Sequence, residues 1–152
     1  MRKTLVCIVT IAVLAACETS HGGGKKDPGA AVLKKIQGTW KFTSQEMDGK
    51  PVPAEALAGM TIVFSGDKWS VRQDGKEIQA GTHKFDPAKK PGHVDAVVTA
   101  GQDEGNTMLG IFELKGDTMK VCFDPKGKAR PTDFKTEAGQ FAAVVQRVAK
   151  KD

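Results

Sequence analysis

The sequence predicts an all-β domain: an eight-stranded antiparallel up-and-down barrel opened by a short helical turn. Three observations predict it. Apolar and polar residues alternate over short stretches from Trp40 onwards, the period of half-buried strands. Tight-turn signals such as Ser65-Gly66-Asp67, Asp74-Gly75 and Lys115-Gly116-Asp117 divide those stretches at close spacing. No helical crossover, internal repeat or second domain interrupts the series, so hairpin follows hairpin.

Ala31 to Gln37 is an expected helical turn, with Val32, Leu33 and Ile36 on one side and Gly38 ending it. Trp40 to Thr43 opens the first strand. Asp48-Gly49-Lys50-Pro51 is turn chemistry, and Pro53 to Leu57 suits one short helix. The next strands are Met60–Phe64, Lys68–Arg72, Glu77–Phe85 and Val94–Val98, the last two joined by the Pro-bounded turn Asp86 to Gly92. Met108–Leu114 and Met119–Phe123 alternate cleanly. A long loop, Asp124 to Gly139, leads to the final strand, Gln140–Val148.

The N-terminus has another character. Arg2 and Lys3 precede an apolar run, Thr4 to Leu14. A membrane span needs roughly 20 apolar residues, so this run reads as a secretory leader. Leu14-Ala15-Ala16-Cys17 resembles the lipobox of bacterial lipoproteins at every position. The resemblance implies that Cys17 takes a diacylglycerol thioether, becomes the new N-terminus and is acylated. Several acyl chains give stable anchoring where one holds only marginally. The resemblance also makes Glu18, which is not Asp, point to the outer membrane facing the periplasm. The expected divisions are therefore a leader over 1–16, a lipidated tether over 17–30 and a barrel domain over 31–152. The Gly-rich tether has a span of about 20 Å.

The whole chain carries a net charge of +5, which falls to +3 once Arg2 and Lys3 are removed. Its lysines are scattered in pairs such as Lys34-Lys35 and Lys89-Lys90, with no concentrated basic patch, which argues against nucleic acid. Three cysteines are present. Cys7 belongs to the leader and Cys17 to the anchor, so Cys122 has no partner for an intrachain disulfide.

Gly38-Thr39-Trp40, after a helical turn and at the start of the first strand, resembles the Gly-X-Trp signature of lipocalins. Arg147 sits where those barrels carry a basic residue over the Trp. The resemblance implies that Gly38, Trp40 and Arg147 plug one end of the barrel. A wider match runs through Gln37–Trp40, Asp48–Pro53, Leu109–Leu114, Cys122–Pro125 and Arg130–Phe134. It resembles a family of lipocalin-like domains common in planctomycetes, for which no catalytic or binding residues are established. The match implies a fold and an exported location, and nothing about a site.

With Trp40 setting the phase, the inward face gathers Phe42, Met60, Ile62, Phe64, Trp69, Met108, Phe112, Met119 and Phe141 as candidate ligand-lining residues. Ser44, Thr82 and Lys84 share that phase and are the candidate polar anchors. A barrel of this size is either just filled by its side chains or holds one small ligand, here expected to be a fatty acyl chain or similar apolar molecule. His83 and His93 flank one hairpin and Asp95 lies near them, too weak a set to assign a metal. Cys122, Arg130, Pro131 and Phe134 form a loop motif expected to pack structurally against the barrel. No nucleophile–base pair, phosphate loop or metalloprotease motif is present, so neither an enzyme nor a cofactor is expected. Two functions remain: a cell-envelope lipoprotein binding a small hydrophobic molecule, and a filled barrel acting through its loops as an interaction, inhibitor or scaffold module. Neither fixes an oligomeric state.

Overall fold

The computed structural model describes residues 27–149. Helix α1 (Pro28–Ile36) begins earlier than expected. Asp27 is its N-cap, accepting a hydrogen bond from the Gly29 amide at 2.9 Å. Pro28 follows in the first turn, where a missing amide hydrogen costs nothing. The pair Asp27-Pro28 is thus a helix start inside what reads by composition as tether. Lys34 and Lys35 in the last turn suit the negative end of the helix dipole. Val32 and Ile36 are buried against the barrel floor.

The strands are β1 (Gly38–Met47), β2 (Lys50–Pro51), β3 (Met60–Ser65), β4 (Lys68–Gln73), β5 (Lys76–Asp86), β6 (Gly92–Gly101), β7 (Thr107–Lys115), β8 (Thr118–Asp124) and β9 (Phe141–Arg147), with a short helix α2 (Ala54–Leu57) before β3. From β3 to β9 each strand pairs antiparallel with the next. β1 joins β3 on one side and β9 on the other, which closes an eight-stranded meander barrel. β2 is a two-residue ribbon on the far end of β1 and is not a stave. Closure leaves the barrel without a free edge. Asp48-Gly49 and Asp74-Gly75 both carry two successive positive φ values, 53° and 73°, and 50° and 82°. That is the backbone a tight two-residue hairpin demands.

Three register shifts break the alternation. In β1 the pairing with β9 jumps from Phe42 to Ser44, leaving Thr43 over. In β5 it jumps from Glu77 to Gln79, leaving Ile78 over. In β6 it jumps from Val98 to Ala100, leaving Thr99 over. Each extra residue reverses the facing of the residues after it and bends the strand, as closing a small barrel requires. Uninterrupted alternation puts Ser44, Thr82 and Lys84 inside, and this is incorrect. Ser44 and Lys84 are exposed and Thr82 is half-buried on the outer side. Gln45, His83 and Phe85 face inward instead.

Inward aromatic rings lie over glycines on the neighbouring strand. Trp69 pairs across with Gly81, Phe112 with Gly92, and Phe123 with Gly110. A Cβ at these glycines would approach the facing ring to 2.7, 2.4 and 2.3 Å, respectively. The rings lie flat against the wall because the partner has no side chain. The core that results runs from α1 through Trp40, Phe64, Phe85, Met108 and Met119 to Val145.

Candidate ligand-binding chamber

One end of the barrel is sealed. Trp40 is fully buried there, and its indole N–H donates to the Ile36 carbonyl at 2.7 Å. The Arg147 guanidinium carbon lies 4.3 Å from the Trp40 ring centroid. Its Nε donates to Asp117 Oδ1 at 2.9 Å and its Nη1 to the Gln37 carbonyl at 2.8 Å. Its Nη2 donates to the Lys35 carbonyl. The planar fork thereby satisfies carbonyls at the end of α1 that the helix leaves open, and stacks on the indole at the same time. Gly38, at φ 110°, turns the chain from helix into strand, with Arg147 Nη1 3.9 Å from where its Cβ would be. These three residues therefore form one cluster.

Beyond Trp40 the interior is not filled. A chamber of about 550 Å³ occupies the barrel and reaches the opposite end, within the ~300–1,000 Å³ of small-molecule sites. Phe42, Met60, Ile62, Phe64, Trp69, Met108, Met119 and Phe141 line it, as their alternation predicts. Phe112 does not: its ring is buried at the sealed end, over Gly92 and edge-on to Phe85 at 4.8 Å. Gln45, Met47, Asp48, Gln79, Gln102, Asp103 and Gln140 surround the mouth. Several are already engaged: Gln79 Nε2 donates to the Gln102 carbonyl at 2.6 Å, and Asp48 Oδ1 accepts from the Gly139 amide at 2.6 Å. Met47 and Ile78 on the rim are about half exposed, at 50% and 46%. Among the described residues, neither Lys nor Arg lines the chamber.

His83 also lines the chamber, as a buried polar residue. It is 8% exposed, and neither imidazole nitrogen makes a hydrogen bond of good geometry among the described residues. Its ring stands edge-on between Phe64, at 5.4 Å between centroids, and Phe85, at 4.9 Å. Burial pushes its pKa below the usual 6.5, opposed in part by backbone polar groups of His83 itself, the charge of Asp67 and the backbone of Lys68. The ring is therefore neutral at pH 7. His93 does not meet it: His93 pairs with Asp86, whereas His83 pairs with Ala96. The two histidines project from opposite faces of the wall. Asp95 is held by Arg130 outside the barrel. No group of three or more His, Cys, Asp or Glu is placed to hold a metal ion among the described residues. Only the bulge at Ile78 turns His83 inward, so alternation alone misplaces it.

The long loop after β8 covers the outer wall, and its two ends, at Pro125 and Gly139, reach the chamber. Asp124 starts it by accepting from the amides of Lys126, Lys128 and Ala129 at 2.8, 3.1 and 2.9 Å. Arg130 Nη1 then donates to the carbonyls of Val94 and Gly110, at 3.0 and 2.6 Å, and Nη2 to Asp95 Oδ1 at 2.5 Å. Pro131 is buried and Phe134 half-buried. The Thr136 hydroxyl donates to Glu46. Under this loop Cys122 is wholly buried, paired with Ile111 and Ala142 on the outer face. Burial above all, with Asp133 and Glu46 adding negative charge nearby, pushes its thiol up to about 11. Cys122 is thus a protonated packing residue without the thiolate that reactivity needs.

No family profile, curated protein or solved structure matches the chain. The leader and Cys17 lie outside the described residues. Among the described residues no helix is long and apolar enough to cross a membrane.

Proposed function

We propose that this chain is a cell-envelope lipoprotein whose barrel binds a small hydrophobic molecule without catalysing a reaction on it. The observation that carries the reading is the chamber of about 550 Å³, walled by aromatic rings and methionines and sealed at one end by Trp40. Pockets for small ligands combine such apolar walls with a few placed polar groups. Adaptable methionine side chains such as Met60, Met108 and Met119 suit an apolar guest. The alternative of a filled barrel acting through its loops expects a solid interior, and the chamber weighs against it. The Gly38, Trp40 and Arg147 cluster supports kinship with lipocalin-like domains. The lipobox at Cys17 and the residue Glu18 support a lipid anchor in the outer membrane, facing the periplasm.

Native mass spectrometry tests the binding reading. The chain from residue 17 onwards, carrying Cys17→Ser, is exported and purified without detergent. A discrete added mass that leaves on activation is expected, and extraction gives its class. A clean protein mass, unchanged after incubation with fatty acids and fatty alcohols, overturns the reading. Fractionation tests the anchor: Cys17→Ser in the precursor should move the protein out of the membrane fraction.

A further inference from the structure

We propose that the sealed end of the barrel docks on the anionic surface of the bilayer that holds the chain, and that this docking turns the chamber mouth away from the membrane. The inference goes beyond ligand binding and rests on the lipid-anchor reading above. An open crevice of about 450 Å³ lies at the sealed end, between α1, the β5–β6 turn and the end of β7. Lys35, Lys89 and Lys90 line it, and all three are exposed. Its floor is apolar, with Val32 and Phe112 buried and Phe134 half-buried. Glu113 is the one carboxylate among its lining residues, and Lys115 holds it. The other carboxylates nearby are engaged: Asp27 caps α1, Asp86 accepts from the Ala88 amide at 3.0 Å, and Asp117 pairs with Arg147. Ammonium groups beside an apolar floor suit the bilayer interface, where anionic phosphates lie above hydrocarbon.

The chain enters the fold at this same end. The start of α1 packs on the end of β5, where a Cβ at Gly29 would lie 2.8 Å from the Phe85 carbonyl oxygen. Residues 18–26 separate that start from Cys17, a stretch that reaches at most about 30 Å. The mouth lies at the far end of the tilted strands, about 25 Å away. An anchor at Cys17 therefore brings the lysine crevice to the bilayer with chain to spare, whereas presenting the mouth takes almost the full extended length. The sequence also places Lys25 and Lys26 directly before Asp27. The mouth has the opposite character: Asp48 and Asp103 stand on its rim, and among the described residues no Lys or Arg lines the chamber. Attraction at the crevice and repulsion at the mouth favour one orientation on an anionic surface. In that orientation the chamber takes its guest from the aqueous side rather than from the bilayer beneath.

Vesicles test the docking apart from the anchor. The chain from residue 17 with Cys17→Ser carries no lipid, and is floated with vesicles of phosphatidylcholine alone or of phosphatidylcholine mixed with phosphatidylglycerol. It should bind the mixed vesicles only, and leave them as salt screens the surface charge. Each lysine at the surface is worth about fivefold, so Lys35→Gln, Lys89→Gln and Lys90→Gln together should lower partitioning about a hundredfold. The same charge removed at the mouth end, with Lys50→Gln, Lys76→Gln and Lys126→Gln, should leave it nearly unchanged. All six lysines are exposed, so neither variant disturbs the core. A paramagnetic chelate lipid in the mixed vesicles should broaden the amide resonances of residues 88–90 far more than those of residues 102–105. Equal losses for the two triple variants, or broadening centred on the mouth, overturn the docking face. Absence of binding to mixed vesicles overturns it as well, and leaves the anchor to be judged by fractionation. Shifts at Lys89 and Lys90 with inorganic phosphate, without vesicle binding, assign the crevice to a free anion and overturn the docking. The broadening test uses the native lysines and so decides the matter even if a variant misfolds.

Discussion

The guanidinium of Arg147 covers the Trp40 ring at 4.3 Å while its nitrogens hold the carbonyls of Gln37 and Lys35. One side chain thus ties the last strand, the first strand and the helix that closes the barrel. Lysine keeps the charge but lacks the planar fork, so it cannot stack and bridge two carbonyls together. Arg147→Lys should therefore lose about 1–2 kcal/mol of stability, read as a lower urea midpoint with an unchanged slope. Trp40→Ala removes the plug outright and should cost about 3–5 kcal/mol. Near-neutral results would mean that the sealed end does not hold the fold together.

Gly110 and Phe123 form a second cross-strand pair whose fit is testable. A Cβ on Gly110 would lie 2.3 Å from Phe123 Cδ1 and 2.9 Å from the Cys122 carbonyl oxygen. Gly110→Ala should cost about 1–3 kcal/mol through overpacking. Combining it with Phe123→Leu, which removes the ring, should cost less than the two single changes together. Additive losses in a double-mutant cycle would show that the ring and the glycine do not act as a unit.

The parts of this fold that are legible in the sequence are those in which period and turn chemistry are local. Asp74-Gly75 demands its hairpin wherever it occurs, and Met108–Leu114 alternates without a break. Trp40, Ile62, Trp69 and Met119 face inward because nothing disturbs the period around them. The bulges at Thr43, Ile78 and Thr99 are set by closure of the whole sheet, and no residue there announces them. That is why simple alternation puts Ser44, Thr82 and Lys84 inside, and why it pairs His83 with His93 across a hairpin instead of placing it in the chamber. Phe112 follows the period correctly but stands too close to the sealed end to reach a ligand. The helix start at Asp27-Pro28 is legible as a cap and a first-turn proline, but the glycines before it give the stretch the composition of a tether.

His83 also makes stability depend on pH. Its folded pKa lies below 6.5, its ordinary value, because burial disfavours the cation. In the unfolded chain the same ring takes up a proton near that ordinary value. As pH falls through 6.5, the unfolded state binds more protons than the folded one, so stability is lost. The loss continues until the pH passes below the folded pKa. Asp67 is the carboxylate that acts on the ring, and it limits the effect without reversing it. Compared with His83→Phe, the native chain should lose stability between about pH 7 and pH 5, and the two curves should run parallel above about pH 7.5. Parallel curves throughout would mean that His83 titrates normally in the folded state.

Arg130 and Cys122 turn the outer loop into a measurable door. Arg130 fastens the loop with bonds to Val94, Gly110 and Asp95, and Cys122 lies wholly buried beneath it. A thiol reagent should label Cys122 only when the loop or the barrel opens, because burial shields the sulfur and its pKa of about 11 leaves almost no thiolate at neutral pH. Labelling of the native chain should therefore be slow, and complete at once in denaturant. Arg130→Ala releases three hydrogen bonds and leaves two carbonyls short of a donor, a loss of about 1.5–3 kcal/mol. If that loss is local to the loop, labelling should accelerate roughly tenfold or more with little change in global unfolding. If the loop is instead integral to the barrel, labelling and global unfolding should shift by the same free energy. The ratio of the two changes separates a fastened flap from a structural wall.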